Sequence, residues 1–146
     1  MIKLEYAIVR ASIVFTLLTV ISIGGTCYAQ EMQPGSRYKI VRPVYLMAVY
    51  DSLNDKHLSR KSARAYLGSI EYYKKSNVAF QCEVPVGTMM TIIGAVPKVW
   101  YLSFSAKGYF VRLDPDLSRG LDVIVQLDRG IEGNLDGLNP ELFGRP

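Results

Sequence analysis

Histidine and cysteine are scarce in this chain, and their scarcity limits the chemistry that it can perform. The sequence holds one histidine, His57, and two cysteines, Cys27 and Cys82. A nucleophile–base pair would have to join His57 to a serine or to Cys82, and a zinc site needs three or four suitable ligands. The sequence brings no such set together. We therefore expect no metal or other cofactor, and a protein without catalytic activity is the favoured interpretation.

Other recognisable signatures are also missing. The chain has no glycine-rich phosphate loop, no internal repeat and no alternation of strands with helices, which argues against nucleotide enzymes, solenoids and α/β folds. No Asn-x-Ser/Thr acceptor for glycosylation occurs, and this favours a bacterial periplasm over a eukaryotic secretory pathway. Nucleic acid is not an expected partner.

The N-terminal 29 residues have the pattern of a secretory signal. Lys3 and Arg10 flank the start, an apolar run covers residues 11–23, and small residues lead to Ala29. Cleavage there would start the mature chain at Gln30 and make the protein periplasmic or secreted. Two alternatives remain open, an uncleaved membrane anchor and a lipid attached to Cys27, and membrane association is expected only in those two cases.

The mature chain is long enough for one domain with its own core. Removing the signal leaves 117 residues with fifteen basic and twelve acidic side chains, a net charge of +3. Cys82 would then be the single cysteine, so the fold must be stabilised by packing without an internal disulfide. Alternation in its strand puts Cys82 on the same face as Val78, Phe80 and Val84, which predicts burial.

The pattern of β-branched and aromatic residues predicts an all-β domain. Six short antiparallel strands are expected, in a small barrel or sandwich, at residues 38–50, 78–84, 89–96, 99–105, 109–113 and 121–127. Pro43 indicates that the first strand is an edge or bends there. The predicted organisation is a flexible lead-in over 30–37, the domain over 38–127, and an irregular tail over 128–146.

The segment 51–77 is predicted to be one long polar connection. Six basic residues stand there against three acids, a local excess of +3 that equals the charge of the whole mature chain. Tyrosines interleave with these charges, and tyrosine and arginine are enriched in recognition surfaces. The residues predicted to bind a partner are Arg60, Lys61, Arg64, Tyr66, Tyr72 and Tyr73. A half-buried sheet face with solvated charges is the alternative interpretation.

These features favour a small exported binding domain. It would recognise an acidic protein or an anionic envelope component, and an inhibitor- or immunity-type protein falls within this class. One alternative is a structural component of an envelope assembly, recruited by strand addition at the Pro43 edge. A hydrolase that uses carboxylates is a further alternative, although the sequence does not pair its scattered acids.

The signal pattern leads to a prediction about processing. N-terminal sequencing of the exported protein should begin at Gln30, because Cys27 and Ala29 occupy the positions that must be small before the cleavage site. Recovery of chains that still begin with Met1 from membranes would instead support the anchor.

Overall fold

A computed structural model describes residues 32–71, 76–97, 107–127, 131–134 and 137–146. The predicted signal peptide, the lipidation alternative at Cys27, the predicted strand at 99–105, and both Tyr72 and Tyr73 lie outside the described residues. The described part of the chain is all-β and contains no helix.

Ten strands are present in the described residues. They are β1 (Arg37–Ile40), β2 (Val44–Tyr50), β3 (Ala63–Gly68), β4 (Val78–Val84), β5 (Met89–Ala95), β6 (Lys107–Asp114), β7 (Val123–Leu127), β8 (Gly133–Asn134), β9 (Gly137–Leu138) and β10 (Phe143–Gly144). The strands β4 to β7 fall where apolar residues alternate between turn signals, as predicted.

The predicted first strand is divided at Pro43. Residues 41–43 separate β1 from β2, because proline supplies no N–H to a strand ladder. Strand β1 pairs with β5 and β10, whereas β2 lies between β3 and β4. The bend at Pro43 is therefore present, but the expectation of an edge strand there is wrong.

Eight of the strands form one mixed sheet, in the order β10-β1-β5-β6-β7-β3-β2-β4, and β8 pairs with β9 separately. The sheet is not closed into a barrel, and its β3–β7 pair is parallel. The prediction of a small barrel or sandwich of antiparallel strands is therefore wrong in two ways: the sheet is open, and one of its strand pairs is parallel. Strand order depends on contacts between distant segments, which local alternation does not encode.

The segment predicted as one long connection contains a strand. In β3, the side chains of Ala63, Ala65 and Leu67 are buried, while Arg64 and Tyr66 alternate with them on the other face. Alanine and arginine have weak strand preference, so the alternation of buried and outward-facing residues over 63–67 was not recognised as a strand from the sequence. The terminal segments are also ordered: β1 begins at Arg37, and the tail supplies β8, β9 and β10.

One face of the large sheet forms the core. The fully buried side chains there include Ile40, Leu46, Met90 and Ile92, each of which contributes about 1.5–3 kcal/mol by leaving water. At the end of β1, the backbone of Ile40 hydrogen bonds to Gly87 and Thr88 in the turn that joins β4 to β5.

The tail should therefore contribute to stability. Phe143 on β10 is only 2% exposed, and Phe143→Ala should lower the free energy of unfolding by about 3–5 kcal/mol through the cavity that it leaves. Urea unfolding followed by circular dichroism measures this change. The control Glu141→Ala removes an exposed ion pair to Arg42 and should cost less than about 1 kcal/mol. Equal midpoints for Phe143→Ala and wild type would show that the tail is independent of the core.

Candidate binding site

The structure separates the residues that were predicted to bind a partner. Arg64 and Tyr66 lie two positions apart on the outer face of β3. Arg60 and Lys61 lie in the exposed turn that precedes this strand. The fold thus brings Arg64 and Tyr66 onto one face and leaves the other two basic residues outside the sheet.

Arg64 already has an acidic partner. Its Nη1 atom lies 3.0 Å from Oδ1 of Asp51, and both side chains are largely shielded from solvent, with 26% and 31% exposure. Burial raises the pKa of the Tyr66 phenol, and the charge and hydrogen bond of Arg64 oppose this rise. The three residues form a small internal polar cluster in which the positive charge is balanced.

Arg60 is also engaged within the fold. Its Nε atom donates a hydrogen bond of 2.8 Å to the carbonyl of Gly120, and it lies 3.7 Å from Oδ1 of Asp122. Lys61 is exposed. Residues 51–77 carry the basic excess of the sequence. Two of their three predicted binding cations, Arg60 and Arg64, are therefore neutralised by neighbouring aspartates, and Lys61 is the exception.

A groove of about 710 Å³ lies where the lead-in meets the C-terminal tail. It is lined by Met32, Gln33, Ser36, Arg37, Tyr38, Gly137, Leu138, Pro140, Phe143, Arg145 and Pro146. The groove is thus formed by the lead-in over 30–37, which was expected to be flexible, and by the tail over 128–146, which was expected to be irregular. Grooves of this size that combine apolar and polar lining residues are typical ligand sites.

The lead-in wall of the groove is attached to β5. Gly35 donates its N–H to the carbonyl of Ile92 at 2.8 Å, and Ile92 donates back to the carbonyl of Ser36 at the same distance. Gly35 has a φ of +87°, a conformation that glycine adopts without steric cost. The Pro34-Gly35 turn therefore places the start of the described chain beside the sheet.

The tail wall is attached to β1. Lys39 pairs with Gly144 and Ile40 with Phe143, and continuing this register by one place sets Arg145 opposite Tyr38. Val41 donates its N–H to the carbonyl of Leu142 at 2.9 Å. These contacts fix Phe143 in the core and bring Arg145 to the groove.

The groove has a positive rim. Arg37 and Arg145 are both exposed, and no aspartate or glutamate side chain is among its described lining residues. If the α-carboxylate of Pro146, the last residue of the sequence, is counted, the rim still holds two positive charges against one. The sequence pattern missed this site because its two arginines are 108 positions apart. The available signals were the Pro34-Gly35 turn and the apolar pair Leu142-Phe143.

A further exposed arginine, Arg119, lies beside β4. The guanidinium carbon of Arg119 is 4.3 Å from the centre of the Phe80 ring, within the range of a cation–π interaction. Cys82, two residues further along, packs against the core but is only half-buried, because β4 is at the edge of the sheet. Burial raises the pKa of its thiol, and the charge of Arg119 opposes that rise.

Among the described residues, no group of three His, Cys, Asp or Glu side chains is placed to hold a metal ion, and His57 is exposed. Asp116 accepts a hydrogen bond of 2.8 Å from the N–H of Ser118, and the Ser118 hydrogen bonds lower the pKa of its carboxyl. No helix in this part of the chain is long and apolar enough to span a membrane.

Comparison with known proteins found no matching family, no matching curated protein and no matching solved structure.

The environment of Cys82 leads to a prediction about its reactivity. In the chain starting at Gln30, Cys82 is the single cysteine. The pH dependence of its alkylation by iodoacetamide should show a thiol pKa above that of an exposed cysteine in the native protein, because burial disfavours the thiolate. Rates measured across neutral to alkaline pH should show a lower pKa in urea. Arg119→Gly should raise the native value further by removing the nearby cation. A native pKa at or below the value in urea would contradict the half-buried placement.

Proposed function

We propose that this protein is an exported, non-catalytic binding domain whose groove takes an anionic component of the cell envelope. One observation carries the proposal: Arg37 and Arg145 flank a groove whose described lining holds no acidic side chain. The pattern of residues 1–29 supports export, to the periplasm or outside the cell.

The lining indicates an amphiphilic anion. Leu138 and Pro140 give the groove apolar surface next to the buried Met32 and Phe143, while Gln33 and Ser36 add polar groups beside the arginines. Arginine binds phosphate and carboxylate groups through paired N–H donors, and apolar side chains favour the burial of hydrocarbon. An anionic lipid headgroup with the first part of its chains combines both chemistries.

The exposed turn before β3 is a second surface for encounter with an acidic partner. Lys61 is exposed there, and Arg60, Arg64 and Tyr66 lie nearby in the chain, with Tyr72 and Tyr73 further along. The groove is preferred because Arg60 and Arg64 already contact Asp122 and Asp51. An internal carboxylate partner reduces the potential that a ligand would experience.

The groove can be tested with a soluble anionic lipid. Short-chain phosphatidylglycerol, used below its micelle concentration, should bind and should shift the NMR signals of Tyr38 and Phe143, whereas short-chain phosphatidylcholine should bind much more weakly. Replacing Arg37 and Arg145 together by Gln should weaken binding by at least about tenfold, since two charge-assisted contacts are lost. The affinity should fall as salt is added.

A matched variant controls for net charge. Lys39→Gln with Arg112→Gln removes two exposed positive charges that neither line the groove nor form an ion pair among the described residues. This variant should keep binding within about threefold of wild type, because exposed charges outside the groove are screened. An equal loss of affinity in both double variants would show that net charge, not the groove, controls binding. A loss of affinity only in Lys61→Glu would place the site at the turn before β3.

A further inference from the structure

Strand β4 is the last strand of the large sheet. It pairs with β2 along its length, and in the described part of the chain no strand pairs with its other side. Val78–Val84 contains neither proline nor lysine, which commonly protect sheet edges, and its single charged residue, the exposed Glu83, lies on the face opposite Phe80 and Cys82. A register shift between Ala48 and Val49 of β2 disturbs the pairing near its start. The remaining stretch of β4 presents regular backbone donors and acceptors at the edge.

Arg119 is held beside this edge by its own loop. Asp116 caps the N–H of Ser118, and the Oγ of Ser118 accepts the N–H of Gly120 at 3.2 Å, so the loop is fixed on both sides of the arginine. Arg119 itself has a φ of +55°, a left-handed conformation that is unfavourable for arginine. Its exposed guanidinium lies over Phe80, and no carboxylate pairs with it among the described residues.

The positive charge of Arg119 decides which of two partners could pair with the edge of β4: a second copy of this chain or an acidic strand. A second copy pairing antiparallel through β4, with a two-fold axis near Gln81, would place each Phe80 within two positions of its counterpart. Each Phe80 carries its own Arg119, so two guanidinium groups would meet on one face and repel. A strand with a carboxylate on that face would instead pair with Arg119 and leave apolar neighbours for Phe80 and Cys82.

We propose that β4 accepts an extended acidic segment of a partner protein by strand addition, with a carboxylate of that segment bound to Arg119. Main-chain hydrogen bonds would supply the pairing, and Arg119 would select acidic segments. This surface differs from the groove, since β4 and β10 are opposite ends of the strand order. The exported domain would then bind a protein at one site and an envelope anion at the other.

A designed peptide provides the probe. In acetyl-Thr-Val-Thr-Glu-Thr-Val-Thr-amide, the central Glu and the two Val share one face of an extended strand. NMR titration should show shifts confined to β4 and to the loop around Arg119. The same peptide with Lys in place of Glu should bind roughly tenfold more weakly, because an ion pair is replaced by repulsion. N-methylation of alternate peptide amides should abolish the shifts, because it removes the donors that extend a sheet.

Two protein variants complete the test. Arg119→Gly removes the guanidinium, and glycine adopts a φ of +55° without strain, so the fold should be retained while the preference for Glu over Lys disappears. The control Arg112→Ala removes an exposed charge from β6 and should keep that preference. Binding insensitive to N-methylation, no binding at millimolar peptide, or a dimer through β4 in sedimentation would each overturn the proposal. All measurements keep Arg37 and Arg145 intact, so failure of the groove proposal would leave this result unaffected.

Discussion

The backbone of Ile40 holds the end of β1 against the turn that joins β4 to β5. Its N–H donates to the carbonyl of Thr88 at 2.9 Å, and its carbonyl accepts the N–H of Gly87 at 2.8 Å. Ile40 and Thr88 are buried, so water could not replace these bonds, and leaving such groups unpaired would cost about 1–3 kcal/mol each. The fully buried Val44 and Val84 lie at the ends of β2 and β4 beside this junction. The contact therefore fixes the end of β1 beside the buried ends of β2 and β4.

The position of β1 then determines where the groove forms. With Ile40 fixed at the junction, β1 has β5 on one side and the short β10 on the other. The lead-in follows β5 through Ile92, and the tail follows β1 through Phe143, so the two chain segments converge on one end of the sheet. The groove therefore arises from the same pairings that complete the core: Arg37 lies on β1 itself, and Arg145 directly follows the neighbouring strand β10.

The most basic segment of the sequence is not the part of the described structure with the most unpaired positive charge. Arg60 and Arg64 belong to the most basic segment, yet Asp122 and Asp51 lie beside them. Such pairs contribute little to stability, about 0–1 kcal/mol when exposed, but they reduce the local potential. Arg37, Arg145 and Arg119 come from less basic stretches and have no ion pair among the described residues. We therefore expect anionic partners to bind at these three arginines, which the charge count of the sequence segments did not single out.

Local sequence determined much of the strand content and little of its arrangement. Alternation between turn residues located β4 to β7, and Pro43 located the break between β1 and β2, because both effects act within a few residues. The Ala63–Leu67 alternation was present but obscured by weak strand formers. Strand order, the parallel β3–β7 pair, the position of β4 as the last strand among the described residues and the meeting of Arg37 with Arg145 were decided by tertiary structure alone. Each of these depends on which distant strands bury their apolar faces together, and the sequence pattern specifies the faces but not the partners.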